Sequence, residues 1–300
     1  MADSPGPGRD ILALIAERPR LLEGAMGTVL AARGLAGENT SERNLTHPEA
    51  VADIHRSYLE AGTQVFQANS FAANRRMLER AGLGDRVAEV QRAALRILRG
   101  AVGDEYPCGV NLGPTGGLLE PYGDLPKEEA VAIYREQIGN HLLDDTDFLL
   151  FETFEDVAEL VAGLEAADQV DPEHRLPRFA CVSFSSPQGR TMMGTDGARA
   201  AEQLMAAGAD VIGTNCGHPE GLRIGLREML RVADRPVMAE PNAGVPTLVG
   251  TETRFAGTPE QSAELAQELL DWGVRLVGGC CGNTPDHIRA MASVVRAYGE

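Results

Sequence analysis

Eight short apolar runs, each followed by a segment of helical periodicity, constrain this 300-residue chain more than any other feature. The runs fall at 21–28, 64–71, 108–112, 147–153, 178–185, 211–216, 236–240 and 274–279. Most are continuous rather than alternating, as expected of strands buried on both faces. Between them lie helical patterns, among them 48–62, 87–98, 127–143 and 155–167, then 198–207, 219–232, 259–272 and 285–298. Several open on proline, which suits a first helical turn. Eight strand–helix units in about 250 residues predict a (β/α)₈ TIM barrel, here a single domain over residues 10–300. An open doubly wound sheet is the second arrangement. It is weaker because no G-x-G-x-x-G follows the first run, and Gly24-Ala25-Met26-Gly27 is only superficially similar. The loop 244–257 reads as an insertion within the barrel. Residues 1–9 are rich in Pro and Gly, lack an apolar signal core and read as a disordered tail.

The polar residues within this frame gather at strand exits. Glu23, Asn69, Asn111, Glu152, Asn215, Cys216, Asn242, Cys280 and Cys281 all stand at or just past the C-terminal end of a run. In a (β/α)₈ barrel that face carries the chemistry and the opposite face carries stability. Each residue alone has an ordinary explanation, since Asn is a common turn former and a single Glu can pair with an arginine. Their convergence is what points to a site.

The sharpest element is Gly278-Gly279-Cys280-Cys281-Gly282, which leads into a helix start at Thr284-Pro285-Asp286. Adjacent cysteines on a regular strand point to opposite faces. Flanking glycines let the backbone turn so that both sulfurs reach one point. Two thiolates need further ligands, and Cys216, in Thr-Asn-Cys-Gly at another strand exit, is the candidate third. Three sulfurs with one position left open make a catalytic rather than a structural Zn²⁺ site. A vicinal dithiol with a redox or metal-storage role is the alternative from a different class. Cys108 and Cys181 lie inside apolar runs and read as small buried hydrophobes. A zinc ion held by three thiolates carries a formal charge of −1 and lowers the pKa of a bound thiol. Such a centre suits alkyl transfer to sulfur better than hydrolysis. Glu23 and Glu152 then become candidates to hold an amino-acid ammonium, with the backbone of Gly24, Ala25 and their neighbours for its carboxylate. Asn69 and Asn111 complete the candidate substrate-binding set.

Composition narrows the partners. The net charge is −17, and no dense Lys/Arg run occurs, which argues against nucleic acid and anionic membranes. No apolar stretch approaches the roughly 20 residues needed to span a bilayer. Five cysteines, two of them adjacent, do not make a disulfide framework, so a reducing, cytoplasmic setting is expected.

The motifs Glu-Gly-Ala-Met-Gly-Thr (23–28), Gln-Ala-Asn-Ser-Phe (67–71), Asn-Leu-Gly-Pro-Thr-Gly (111–116) and Phe-Glu-Thr-Phe (151–154) carry a family resemblance. So do Thr-Asn-Cys-Gly (214–217), Glu-Pro-Asn-Ala-Gly (240–244) and Gly-Gly-Cys-Cys-Gly-Asn-Thr-Pro (278–285). With these the chain resembles the homocysteine S-methyltransferase family over nearly its whole length. The resemblance implies a (β/α)₈ barrel and a zinc ion on Cys216, Cys280 and Cys281, with Asn242 as fourth ligand until a substrate thiol displaces it. It also implies methylation of homocysteine to methionine. The likeness is greatest to the homocysteine-binding module of cobalamin-dependent methionine synthase. The 300 residues carry no sign of that enzyme's folate, cobalamin and activation modules, so the expected donor is a separate methylated corrinoid protein, with S-methylmethionine as a second. Ala72 and Ala73 follow Phe71 where the betaine-using relatives place an aromatic residue, which disfavours a quaternary-ammonium donor. Glu23 stands where the family usually has Asp. The extra methylene shortens the pocket and leaves open another thiol, or demethylation of another donor towards a corrinoid protein.

Overall fold

The computed structural model describes residues 10–142, 145–250 and 252–298. The expected tail at 1–9 lies outside the described residues. Eight parallel strands form the central sheet: β1 (Arg20–Leu21), β2 (Phe66–Gln67), β3 (Cys108–Leu112), β4 (Phe148–Phe154), β5 (Arg178–Val182), β6 (Val211–Asn215), β7 (Val237–Glu240) and β10 (Leu276–Val277). Their spatial order is β1-β10-β7-β6-β5-β4-β3-β2. A parallel bridge from Leu22 to Val65, with Val65 N–H donating to Leu21 O at 3.1 Å, joins the two ends and closes the barrel. Three of the strands are only two residues long, shorter than the apolar runs that contain them. Their chains leave the ladder early to build the loops of the site.

Helices occupy the outer ring: α4 (Pro48–Ala61), α6 (Val87–Val102), α7 (Lys127–Leu142), α8 (Val157–Val170), α9 (Gly197–Ala206), α10 (Pro219–Leu230), α11 (Pro259–Asp271) and α12 (Pro285–Ala297). Shorter helices α2 (Gly27–Ala32), α3 (Arg43–Thr46) and α5 (Arg75–Glu79) sit in the first two connections. The helix expected over 127–143 is interrupted at Gly139, whose φ of 49° breaks the helical path. The insertion at 244–257 is an antiparallel hairpin, β8 (Pro246–Val249) with β9 (Glu252–Phe255). Among the described residues no helix is long and apolar enough to cross a membrane.

Strand residues alternate between two apolar layers, as the period of two requires. Leu149 and Phe151 of β4, and Ala180 and Val182 of β5, face the helices in the large outer core. Phe148 and Leu150, with Phe179, Cys181, Val211, Met238 and Leu276, fill the barrel interior. Phe148 and Phe179 stack there at a ring-centroid distance of 4.8 Å. Gly109 is required by this packing, because a Cβ on it would lie 2.3 Å from the Phe148 ring. A helix that the sequence reading did not anticipate, α1 (Ile11–Glu17), inserts Ile11 and Ile15 into the same interior cluster. Arg275 anchors it by donating to Ile15 O and Ala16 O, at 2.8 and 2.9 Å.

Candidate active site

Continuing the inward alternation past the apolar layer leads straight to the site. Val65 is followed two residues later by Gln67, Leu150 by Glu152, Gly213 by Asn215, Met238 by Glu240 and Gly278 by Cys280. Asn111 enters at the same level from β3, where it pairs in register with Leu150. The C-terminal half of the barrel interior is therefore polar for the same geometric reason that the N-terminal half is apolar.

Of these, Gln67, Asn111, Glu152 and Cys280 wall a cavity of about 320 Å³ lined also by Glu23, Gly24, Ala25, Asn69, Cys216 and Cys281, while Asn215 and Glu240 are buried outside its lining. Its lining contains three amides, two carboxylates and no Lys, Arg or His. Glu152 is held from both sides. Asn111 Nδ2 donates to its Oε1, and Asn215 Nδ2 donates to its Oε2 at 2.6 Å. Burial pushes the Glu152 carboxyl up to about 7; the Asn111 bond opposes that rise, while the negative charges of Cys216 and Glu23 add to it. Glu240, whose Oε2 has no hydrogen-bond partner, is raised well above the carboxylate range by burial and by the charges of Glu152 and Glu23.

The sulfurs of Cys216, Cys280 and Cys281 lie within 4.8 Å of one another, although β6 and β10 are separated by more than sixty residues of sequence. Cys216 adopts φ 56° and Gly217 φ 64°, a left-handed turn straight after β6 that costs a non-glycine residue of order 1–3 kcal/mol. Thr153, φ 64°, is a matching left-handed residue within β4, where the register with β5 shifts between Phe151 and Phe154. Asn215 ties the two together: its Oδ1 accepts from Thr153 N–H and its Nδ2 donates to Thr153 Oγ1, each at 2.7 Å. Hydrogen bonds from Cys280 and Cys281 hold the Cys216 thiol down to about 3, against the burial that raises it. The same bonds to Cys216 push the Cys280 thiol well up and Cys281 to about 12. Asn242 stands beside them. Its side chain bonds to the Cys216 sulfur, its Nδ2 donates to Gly217 O at 3.2 Å, and its Oδ1 is buried without a partner. Cys108 and Cys181 are buried in strands, away from this cluster, as small apolar residues should be.

Of the remaining residues singled out by sequence, Asn69 borders the cavity but spends its amide on Thr40 O and Asn44 Oδ1, at 2.9 and 3.0 Å. The Ala25 N–H already donates to Asn283 O at 3.1 Å. Glu23 is 2% exposed; its Oε1 accepts from Gln67 N–H and its Oε2 lies 3.1 Å from His55 Nδ1. The sequence gives no role to His55 or Tyr58, and Gln67 and Asn283 enter it only as members of the motifs 67–71 and 278–285. Asn283 sits behind the cysteine loop, its Nδ2 donating to Pro241 O at 2.9 Å and its Oδ1 accepting from Ser262. The Gly-Gly-Cys-Cys-Gly-Asn order was the one signal available for it. Phe255 of the hairpin packs directly on Gly282, where an added Cβ would lie 2.4 Å away.

The family model described as homocysteine S-methyltransferase matches residues 20–295. Methionine synthase from Mycobacterium tuberculosis is 32% identical over 306 residues, covering 95% of this chain and 25% of that protein, and the Mycobacterium leprae enzyme matches equally. The chain thus spans about a quarter of the length of these relatives. Among solved structures, the homocysteine methyltransferase MmuM from Escherichia coli, metallated form, superposes with a TM-score of 0.77 at 23% identity, over 95% of this chain and 99% of that one. The oxidized form of the same protein gives 0.75 at 22%. At those identities the structural likeness speaks for the fold.

Proposed function

Because this chain belongs to the homocysteine S-methyltransferase family, we propose that it methylates the sulfur of homocysteine to give methionine, with zinc held by Cys216, Cys280 and Cys281. The observation that carries this reading is the meeting of three sulfurs within 4.8 Å on the wall of a cavity whose ionisable lining is otherwise acidic. The donor set suits the metal. Three cysteine sulfurs are soft ligands that leave one of four positions open, and the unpartnered Asn242 Oδ1 beside them is an oxygen able to fill it. Zinc bound there supplies Lewis acidity that lowers the pKa of a substrate thiol.

The protein's own groups do the rest. An acidic cavity without a basic side chain favours a substrate bearing an ammonium, and Glu152 and Glu23 are its partners. Asn111 and Asn215 keep the Glu152 oxygens oriented, so the amine meets a carboxylate already in place. With no Arg or Lys at hand, the substrate carboxylate falls to the backbone between Gly24 and Thr28, less the engaged Ala25 N–H. Methyl transfer forms a carbon–sulfur bond at the substrate, breaks the donor's bond to that carbon and sends the thiol proton to solvent. No further general base is needed. A methylated corrinoid protein or S-methylmethionine would supply the methyl group.

Metal analysis of the purified protein tests the reading, with about one zinc per chain expected for a single three-sulfur site. Cys281→Ser should lose it, and homocysteine added to the zinc-loaded protein should release a proton. Zinc retained in full by Cys281→Ser, or absent from the wild type, would overturn the assignment. Methionine formation in a scan of methyl donors then identifies the donor.

A further inference from the structure

Helix α4 belongs to the outer ring of the barrel, yet two of its side chains reach through to the loop after β1. His55 and Tyr58 lie at i and i+3, on one face of the helix, and both are fully buried. The Tyr58 hydroxyl stands 2.8 Å from Ala25 O and 2.9 Å from Asn283 O, bridging the β1 loop and the cysteine loop. His55 Nδ1 stands 3.1 Å from Glu23 Oε2. A carboxylate oxygen only accepts, so Nδ1 carries the proton and donates. The other Glu23 oxygen accepts from Gln67 N–H at 3.1 Å. Both Glu23 oxygens are thereby fixed from behind, while the residue lines the cavity in front.

Glu has one more side-chain torsion than Asp, and an unrestrained carboxylate would lose rotamer freedom each time a ligand bound. Two donors on the far side remove that freedom in advance. The other cavity carboxylate, Glu152, has its two donors from the strand-end amides Asn111 and Asn215. Glu23 has one backbone donor and His55. Among the described residues His55 Nε2 has no hydrogen-bond partner, so there the imidazole's polar tie is its bond to Glu23.

We propose that His55 is a positioning residue for substrate recognition: it aims the Glu23 carboxylate at the substrate amine and so sets the preference of the cavity for amino-acid thiols over thiols lacking an amine. This rests on the reading above that Glu23 receives the ammonium. The role is separable from simple core packing by choosing replacements according to where they place an N–H. His55→Asn keeps a donor near the position of Nδ1. His55→Gln places it near Nε2 instead, out of reach of Glu23.

The test measures, by calorimetry on the metal-loaded protein, the binding of L-homocysteine and of 4-mercaptobutanoate, which has the same thiol and carboxylate but no amine. His55→Gln should weaken homocysteine binding by about tenfold to a hundredfold, the range for losing one charge-assisted contact. It should leave 4-mercaptobutanoate unchanged, and His55→Asn should restore most of the loss. Glu23→Gln should lower the amine preference, leaving the part that Glu152 supplies, and adding His55→Gln to it should cost no more. Equal weakening of both thiols in His55→Gln, or wild-type discrimination in a His55→Gln protein with normal melting and metal content, overturns the proposal. If His55→Gln does not fold, the double comparison is made with His55→Phe, and an Asn variant that fails to discriminate overturns it. A wild-type protein that binds neither thiol refutes the methyltransferase reading instead.

Discussion

Glu152→Gln should stabilise this protein at alkaline pH while weakening its hold on substrate. The carboxyl is buried, and its pKa stands at about 7 against an ordinary 4.5. Below pH 4.5 it is protonated in folded and unfolded chains alike, and stability is unaffected. Between 4.5 and about 7 the unfolded chain loses the proton first, so stability falls as pH rises. Above about 7 both forms are ionised and the folded protein carries the full cost. The difference, at 1.36 kcal/mol for each tenfold change in proton affinity, is about 3 kcal/mol. Glutamine has the same shape and does not titrate. Its amide also places a donor against Asn111 or Asn215, both of which donate to Glu152, at a cost of about 1–3 kcal/mol that does not vary with pH. The pH-dependent part is isolated by urea unfolding of chelator-treated, reduced protein at pH 5 and pH 8. The stability difference between variant and wild type should move by about 2.5 kcal/mol in favour of the variant at the higher pH, because part of the effect is already present at pH 5. Homocysteine affinity should fall in the same variant, because the amine loses an anionic partner. A stability difference that is the same at both pH values would refute the argument that burial holds this carboxyl high.

Gly24→Ala would place a Cβ 2.8 Å from Asn283 O and from the Tyr58 hydroxyl, forcing the β1 loop off the cysteine loop. Homocysteine affinity should drop and the melting temperature should fall, with a loss of about 1–3 kcal/mol from overpacking; unchanged binding would mean the loop moves freely. Tyr58→Phe removes the hydroxyl that bridges Ala25 O and Asn283 O, and thermal unfolding should show a loss of about 1–2 kcal/mol. A variant as stable as wild type would show that the bridge carries no stability.

The barrel was legible in the sequence because a strand buried on both faces must be apolar throughout, and eight such runs alternating with helices close in one way. The site was legible for a related reason. Inward positions at the mouth end meet a cavity instead of packed side chains, so Glu152, Asn111 and Asn215 break the apolar pattern where the interior opens. The glycine-flanked Cys280 and Cys281 broke it further. The partner of Glu23 was not legible: His55, on an amphipathic helix far along the chain, looks like any buried residue of that face. Nor was the state of the amides, because whether Asn69 faces a ligand or the 40–44 loop depends on what stands beside it in space. The plug by α1 was equally hidden, since Ile11 and Ile15 are unremarkable until the open end of the barrel is placed against them.

Residue type and chain order by themselves determined the barrel and the placing of thiols, carboxylates and amides at its mouth, since both follow from burial periodicity and side-chain identity. Only the tertiary structure decided which donors hold Glu23 and Glu152, and how near the three sulfurs expected to converge after β6 and β10 come to one another. Hydrogen bonds and electrostatic interactions fall off within a few ångströms, and distances across the barrel are not written in sequence separation.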